Sequence, residues 1–140
     1  MKSIPRIKAV MTPFPHWIAS ERPVSEAVRL MADHDIRHLA VKTGGELVSV
    51  VTEHDIQNAQ VLSPNKGGLT VGEICVRKAF VVELTEPLDR VLRGMADQYV
   101  ESALVVKDGK LAGIFTITDA CRGFSDLLRS LFPSGGDDAA

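Results

Sequence analysis

Long apolar runs, an excess of one charge and a cysteine framework are all missing from this chain, and each absence removes a class of protein. No apolar stretch approaches the roughly 18 residues of a membrane-spanning helix, and Met1-Lys2-Ser3-Ile4-Pro5-Arg6 lacks the apolar segment of a secretory signal. A cytoplasmic protein without a membrane partner is the expectation. The formal net charge is −2, so no basic face is available for a phosphate backbone and nucleic acid is not an expected partner. Two cysteines, Cys75 and Cys121, cannot form a disulfide scaffold and read as small helix-edge residues. Aromatics are few, at 5%, beside 45% hydrophobic and 24% charged residues, the balance of a soluble globular protein. At 140 residues the chain fits one ordinary domain or two small ones. A half of about sixty residues would bury only about 60% of its unfolded surface, so the halves should share a core.

What is present is a duplication. Moving the sequence by 64 residues (119 − 55 = 64) lays Ser49-Val50-Val51-Thr52-Glu53-His54-Asp55 on Gly113-Ile114-Phe115-Thr116-Ile117-Thr118-Asp119. Pro23 then meets Pro87, Met31-Ala32-Asp33 meets Met95-Ala96-Asp97, and Gly45 meets Gly109. The period is too long for a solenoid repeat, so a closed pair with pseudo-two-fold symmetry is expected. The duplication divides the chain into a first repeat over 4–62, a linker over 63–69, a second repeat over 70–132 and a disordered tail over 133–140.

Each copy should open with a small helix, at Ile7 to Met11 and after the Thr70-Val71-Gly72-Glu73 capping box. Brief strands follow at His16-Trp17-Ile18 and Phe80-Val81-Val82. Val24, Ala27, Val28 and Met31, like Leu88, Val91, Leu92 and Met95, then mark the apolar stripe of a helix, with Pro23 and Pro87 at its entrance. Hairpins turn at Gly44-Gly45 and Asp108-Gly109, with arms apolar enough to be covered on both faces. Final helices start near Thr52 and Thr116. The fold class is α+β, with the order β-α-β-β-α occurring twice and each small sheet packed on helices.

The chemistry lies where the hairpin runs into the last helix. A Thr at the entrance and an Asp three residues later, Thr52 with Asp55 and Thr116 with Asp119, can meet an anion through the hydroxyl and first-turn amides, and a vicinal diol through the carboxylate. Phosphate plus ribose fits that row. The same spacing also makes an ordinary N-cap pair, so each copy alone supports either reading.

With two copies in one context, the chain resembles a pair of cystathionine-β-synthase (CBS) domains, a Bateman module. The resemblance covers about residues 4–131 and rests on Val10-Met11-Thr12-Pro13, Asp35-Ile36-Arg37-His38-Leu39-Ala40-Val41, Glu101-Ser102-Ala103-Leu104-Val105-Val106 and both Thr-x-x-Asp signatures. It implies clefts between the repeats for adenosine-containing molecules, dimers formed through the helices, and a regulatory role with catalysis elsewhere. By that resemblance Asp55 and Asp119 hold ribose hydroxyls and Thr52 and Thr116 meet phosphate. Ile18, Ala19 and Val82, with Arg37, His38, Glu101 and Ser102, line the base pockets.

Departures from the family pattern bear on the ligand. Ser49 stands where Gly is commonest, and Ala40 where many members carry Pro. Glu53-His54 and Ile117-Thr118 occupy positions that are often basic, and Glu53 would repel a polyphosphate. Cations would then have to come from Arg37, Lys78 or Arg122. A lightly charged ligand, AMP or S-adenosylmethionine, is favoured over ATP, and no cofactor is required.

All four histidines, His16, His34, His38 and His54, fall in the first repeat, without counterparts in the second, which argues against a metal site. Trp17 would stack on a purine, fill the cleft or serve as packing. The leading expectation is a stand-alone sensor that signals to an unknown regulated protein through a homodimer. The alternative is a ligand-free dimerisation scaffold whose signatures are only helix caps. No nucleophile-base pair or phosphate loop marks an enzyme.

Overall fold

The structure, a computed structural model, describes residues 3–62, 68–75 and 77–133. Most of the linker and tail assigned from the sequence, 63–67 and 134–140, lies outside the described residues. A 3-10 turn at Ile7–Ala9 and strand β1 (Thr12–Pro13) precede β2 (Trp17–Ala19), α1 (Val24–His34), β3 (His38–Thr43), β4 (Glu46–Thr52) and α2 (Glu53–Leu62). After α3 (Val71–Ile74) the order recurs as β5 (Val81–Glu83), α4 (Leu88–Gln98), β6 (Ser102–Lys107), β7 (Lys110–Thr116) and α5 (Ile117–Leu131). The β-α-β-β-α unit is therefore present twice, as the periodicity required.

One sheet has the order β2-β3-β4 and the other β1-β7-β6-β5, with a parallel pair and an antiparallel hairpin in each repeat. Helices α1 and α4 both end in a left-handed residue, Asp35 (φ 51°) and Tyr99 (φ 55°), at matching places in the repeat. Because α1 stops at His34 and β3 begins at His38, these two histidines straddle a helix end and share no helical face.

The small opening helices pack across the repeat boundary rather than on the copies they introduce. Ile7 is buried with Val91, Met95 and Phe115 of the second repeat, whereas Val71 and Ile74 are buried with Val24, Met31 and Val41 of the first. The exchange is reciprocal. The Leu88 amide donates to Pro5 O at 2.9 Å, as the Val24 amide donates to Leu69 O at 3.1 Å. Likewise, the Ile7 amide reaches Glu86 O at 2.8 Å and the Val71 amide reaches Arg22 O at 2.9 Å. Neither small core is complete without a segment of the other repeat, which is how two short halves obtain a sufficient interior.

Strand alternation completes the account of the core. Leu39 and Val41 belong to the first core cluster, and Ala103 and Val105 to the second. Ala40 and Leu104, one residue out of phase and 64 apart (104 − 40 = 64), belong to neither cluster yet are 0% exposed. They lie on the opposite sheet faces. Both faces of β3 and β6 are thus covered, as the nearly continuous apolar runs implied.

Candidate functional site

Strand β4 ends at Thr52 and feeds straight into α2, which sets Thr52 and Asp55 at the helix entrance. The Thr52 amide donates to Asp55 Oδ2 at 3.0 Å, and the Asp55 amide donates to Thr52 Oγ1 at 3.0 Å. Thr116 and Asp119 repeat the arrangement at 2.9 and 3.2 Å. Both signatures are therefore working helix caps. Each cap uses one carboxylate oxygen and an acceptor site of the hydroxyl, leaving the second carboxylate oxygen and the hydroxyl proton for another partner.

A cavity of about 430 Å³ opens beside the first signature, lined from one side by Val50, Thr52, His54, Asp55 and Asn58. Arg77, Lys78, Ala79 and Phe80 form a second wall, and Tyr99, Val100, Glu101 and Ser102 a third. The fold thus brings Thr52 and Asp55 of the first repeat together with Glu101 and Ser102 of the second. Polar and charged residues predominate on its walls, with Val50, Ala79, Phe80 and Val100 supplying the apolar surface.

The remaining sequence-derived site residues lie elsewhere. Ile18 is 3% exposed inside the first core, and Val82 packs against the second, so neither side chain lines this cavity. Ala19 ends edge strand β2, paired with Lys42. Arg37 is exposed, with Nε 3.9 Å from Glu53 Oε2, and both line a different hollow between α1 and α2. Glu53 is consequently turned away from the Thr52 cavity, and the repulsion anticipated from it is displaced. Thr116 and Asp119 cap α5 outside this cavity.

His38 lies at the junction of the repeats. Its Nε2 is buried without a hydrogen-bond partner and stands 3.9 Å from Glu101 Oε2 across the boundary. Burial pushes its pKa below the usual histidine value, opposed by the charges of Glu101, Asp55 and Asp119 and reinforced by Arg37. In the sheet His38 stands opposite Thr52, at the entrance of α2.

Sequence reasoning named Lys78 but missed Arg77, Phe80 and Tyr99. Arg77 Nη1 donates to Tyr99 O at 3.0 Å, tying two walls of the cavity together. No local signal marked these three, because they reach the cavity only through the exchange of opening segments, which the tertiary structure shows. Trp17 does not line the cavity; it is 49% exposed, with Lys42 Nζ 4.2 Å from its ring centre. His16 and His34 stack at 3.7 Å, and no group of three or more His, Cys, Asp or Glu suited to a metal occurs among the described residues. Cys75 and Cys121 are unpaired, and burial raises the Cys75 pKa. No helix among the described residues is long and apolar enough to cross a membrane.

Two exchanged β-α-β-β-α repeats with a cleft between them define a tandem pseudo-symmetric domain pair. The chain belongs to the CBS domain family, whose profile matches residues 7–62 and again 71–126. It is 33% identical over 127 residues to L-aspartate semialdehyde sulfurtransferase of Methanocaldococcus jannaschii, covering 89% of this chain and 24% of that protein. Among solved structures it is similar to a CBS domain pair in complex with 5′-methylthioadenosine and S-adenosyl-L-methionine, with TM-score 0.78 and 30% identity over 89% of this chain and 98% of the other. It is also similar to CBSX2 in complex with AMP, with TM-score 0.70 and 26% identity over 89% of this chain and 98% of that one. The chain spans 24%, 54% or 21% of the length of the curated relatives it matches, so the likeness concerns their CBS part.

Proposed function

We propose that the chain is a regulatory nucleotide-sensing module that binds an adenosine-containing ligand between its repeats and performs no catalysis itself. The observation that carries this reading is the cavity joining Thr52 and Asp55 of one repeat to Phe80, Glu101 and Ser102 of the other. In it, Asp55 accepts from ribose hydroxyls, the Thr52 hydroxyl donates to the 5′ substituent, and Phe80, Ala79 and Val100 flank the base. Thr116 and Asp119, with Arg37 and His38, are the corresponding groups of a second, pseudo-symmetric cleft. Ligands of CBS pairs similar to this chain, AMP and S-adenosyl-L-methionine among them, support the ligand class. We assign the output to a cytoplasmic homodimer formed through exposed helical faces, with an unidentified regulated protein as its target.

The scaffold reading draws support from the reciprocal Thr-Asp caps, which stabilise α2 and α5 whether or not a ligand is present. A thermal-shift panel of AMP, ADP, ATP, NADH, S-adenosylmethionine and cyclic dinucleotides separates the two. A ligand at 100 times its Kd adds about 2.7 kcal/mol to folding stability, a rise of several degrees in Tm. Asp55→Asn keeps the capping oxygen and removes the charge. A sensor loses the shift in that variant, in Asp119→Asn, or in the two combined, according to which clefts are filled, whereas a scaffold shows no shift with any ligand in any of these proteins.

A further inference from the structure

We infer that a second cavity, beside the first hairpin and outside the Thr52 and Asp55 cleft, is a binding site for a phosphate group, free or carried by a small polyol. The juxtaposition that points to it is Arg77 and Lys78 gathered with the hydroxyls of Ser20 and Thr43 around a hollow that side chains fill in the other repeat. The inference does not rest on the proposed function.

This cavity holds about 400 Å³, within the roughly 300–1,000 Å³ of small-molecule pockets. Ser20, Thr43, Ser49 and Cys75 line it and take no part in the cleft, whereas Arg77 and Lys78 line both and form the partition between them.

The space arises from a slip of one residue between the repeats. In the second repeat Gly113 pairs with Pro13, and the Phe14 amide donates to Ala112 O at 3.3 Å. In the first, Ser49 bridges Lys78, and the Ala79 amide donates to Val48 O at 3.4 Å. Subtracting the offset turns Lys78 and Ala79 into Phe14 and Pro15 (78 − 64 = 14, 79 − 64 = 15), one residue beyond the partners used in the second repeat. Side-chain size acts in the same direction. Cys75 and Ser20 stand where the second repeat has Met11 and Leu84 (75 − 64 = 11, 84 − 20 = 64), and both of those larger residues pack against the second core. Charge is not what separates the repeats, since Lys8 and Lys107 are the counterparts of Gly72 and Thr43 (72 − 64 = 8, 107 − 43 = 64). Room is.

The groups around the hollow suit an oxyanion. Thr43 Oγ1 donates to Ser20 Oγ at 2.7 Å, which leaves the Ser20 proton for a further acceptor. Arg77 gives one donor to Tyr99 O and retains the rest of its fork, and Lys78 brings three more. Among the described residues no carboxylate lines this cavity, and neither Arg77 nor Lys78 has a carboxylate at ion-pair distance. Two cations without a counter-charge beside a donor hydroxyl offer charge-assisted hydrogen bonds to phosphate oxygens.

Isothermal titration of the full chain with inorganic phosphate, glycerol 3-phosphate and glycerol, in chloride buffer at constant ionic strength, tests the inference. The expected result is one site per chain for the phosphate group and no binding of glycerol. Glycerol 3-phosphate binding more tightly than phosphate identifies a polyol ester as the ligand; equal or weaker binding identifies the free ion. Cys75→Met and Ser20→Leu put the second repeat's side chains into the hollow and should each weaken binding at least about tenfold. Lys78→Ala, at an exposed position, should do the same. Circular dichroism verifies that each variant is folded, and Ser20→Leu gives the reading if Cys75→Met is not.

No binding of either phosphate compound would overturn the inference. So would phosphate affinity unchanged in the folded filling variants, or lost in Thr52→Val while kept in Cys75→Met and Ser20→Leu, which would put the phosphate in the cleft.

Discussion

Ser49 Oγ donates to the carbonyl oxygen of Arg77 at 2.5 Å, anchoring to the first repeat the segment that walls the cleft. At the matching place in the second repeat stands Gly113. A side chain there would meet Met11 Cγ at 2.9 Å and Thr12 O at 3.0 Å, because β1 lies directly against β7. Ser49 is accommodated because its neighbour is a single backbone bridge to Lys78 rather than a paired strand. The hydroxymethyl that replaces the family's commonest Gly here makes a hydrogen bond.

The two positions should therefore respond oppositely to exchange. Gly113→Ala displaces the Met11 side chain and presses on Thr12 O, and should cost about 1–3 kcal/mol. Ser49→Gly loses a largely buried hydrogen bond and should cost about 1 kcal/mol. It should also loosen the Arg77 segment and weaken ligand binding in the cleft it walls. Urea denaturation and titration of each variant give both readings.

Gly94 of α4 faces Phe80, and a Cβ at 94 would stand 2.6 Å from Phe80 Cζ. Gly94→Ala should gain up to about 1 kcal/mol of helix propensity but displace a ring that lines the cleft, reducing ligand affinity. Gly123 of α5 has nothing within 4 Å of its Cβ position, so Gly123→Ala should only stabilise, by about 0.5–1 kcal/mol. Thermal melts beside ligand titrations distinguish the two glycines.

His38 makes stability depend on pH. Burial lowers its folded-state pKa below the unfolded value of 6.5. Near and below that pH the unfolded chain binds the proton first, so the stabilising contribution is whole above 6.5 and declines as pH falls from there towards the folded value. The slope for a single group cannot exceed about 1.4 kcal/mol per pH unit. His38→Gln should flatten this part of the profile. Glu101→Gln removes the strongest opposing charge and should extend the loss to lower pH. Chemical denaturation at intervals between about pH 7.5 and 5 checks all three proteins.

Helix α5 is 15 residues long and contains no buried residue, although Phe124, Leu127, Leu128 and Leu131 recur at helical spacing. Phe124 and Leu131 are each 62% exposed. If this face forms the proposed homodimer, wild type should elute at twice the monomer mass in light-scattering chromatography. Phe124→Asp with Leu131→Asp should then elute at the monomer mass with its far-ultraviolet dichroism unchanged. A wild-type monomer at about 100 μM would remove the dimer from the proposal.

Much of the architecture was legible because its signals are local. The stripe of Val24, Ala27 and Met31, the Thr70 capping box and both Thr-Asp caps each depend on residues within a turn or two of one another, and the 64-residue offset shows each pattern a second time. Of the candidate site, Thr52, Asp55, Lys78, Glu101 and Ser102 were named from the sequence and share one cavity. Ile18 and Val82 were also named, but strand alternation turns their side chains into the cores.

By itself, then, the sequence determined the duplicated unit, its order of elements and the two capped helix entrances, since helix and strand periods are properties of short stretches of chain. Only the tertiary structure decided that each opening segment completes the other repeat's core, that Glu53 turns to Arg37 while Glu101 turns to His38, and that Arg77 stands on the cleft wall beside Lys78. The reason is physical. Hydrogen bonds within a turn act on neighbours, whereas charges separated by dozens of residues meet only when burial of apolar surface has fixed how the two sheets and their helices pack.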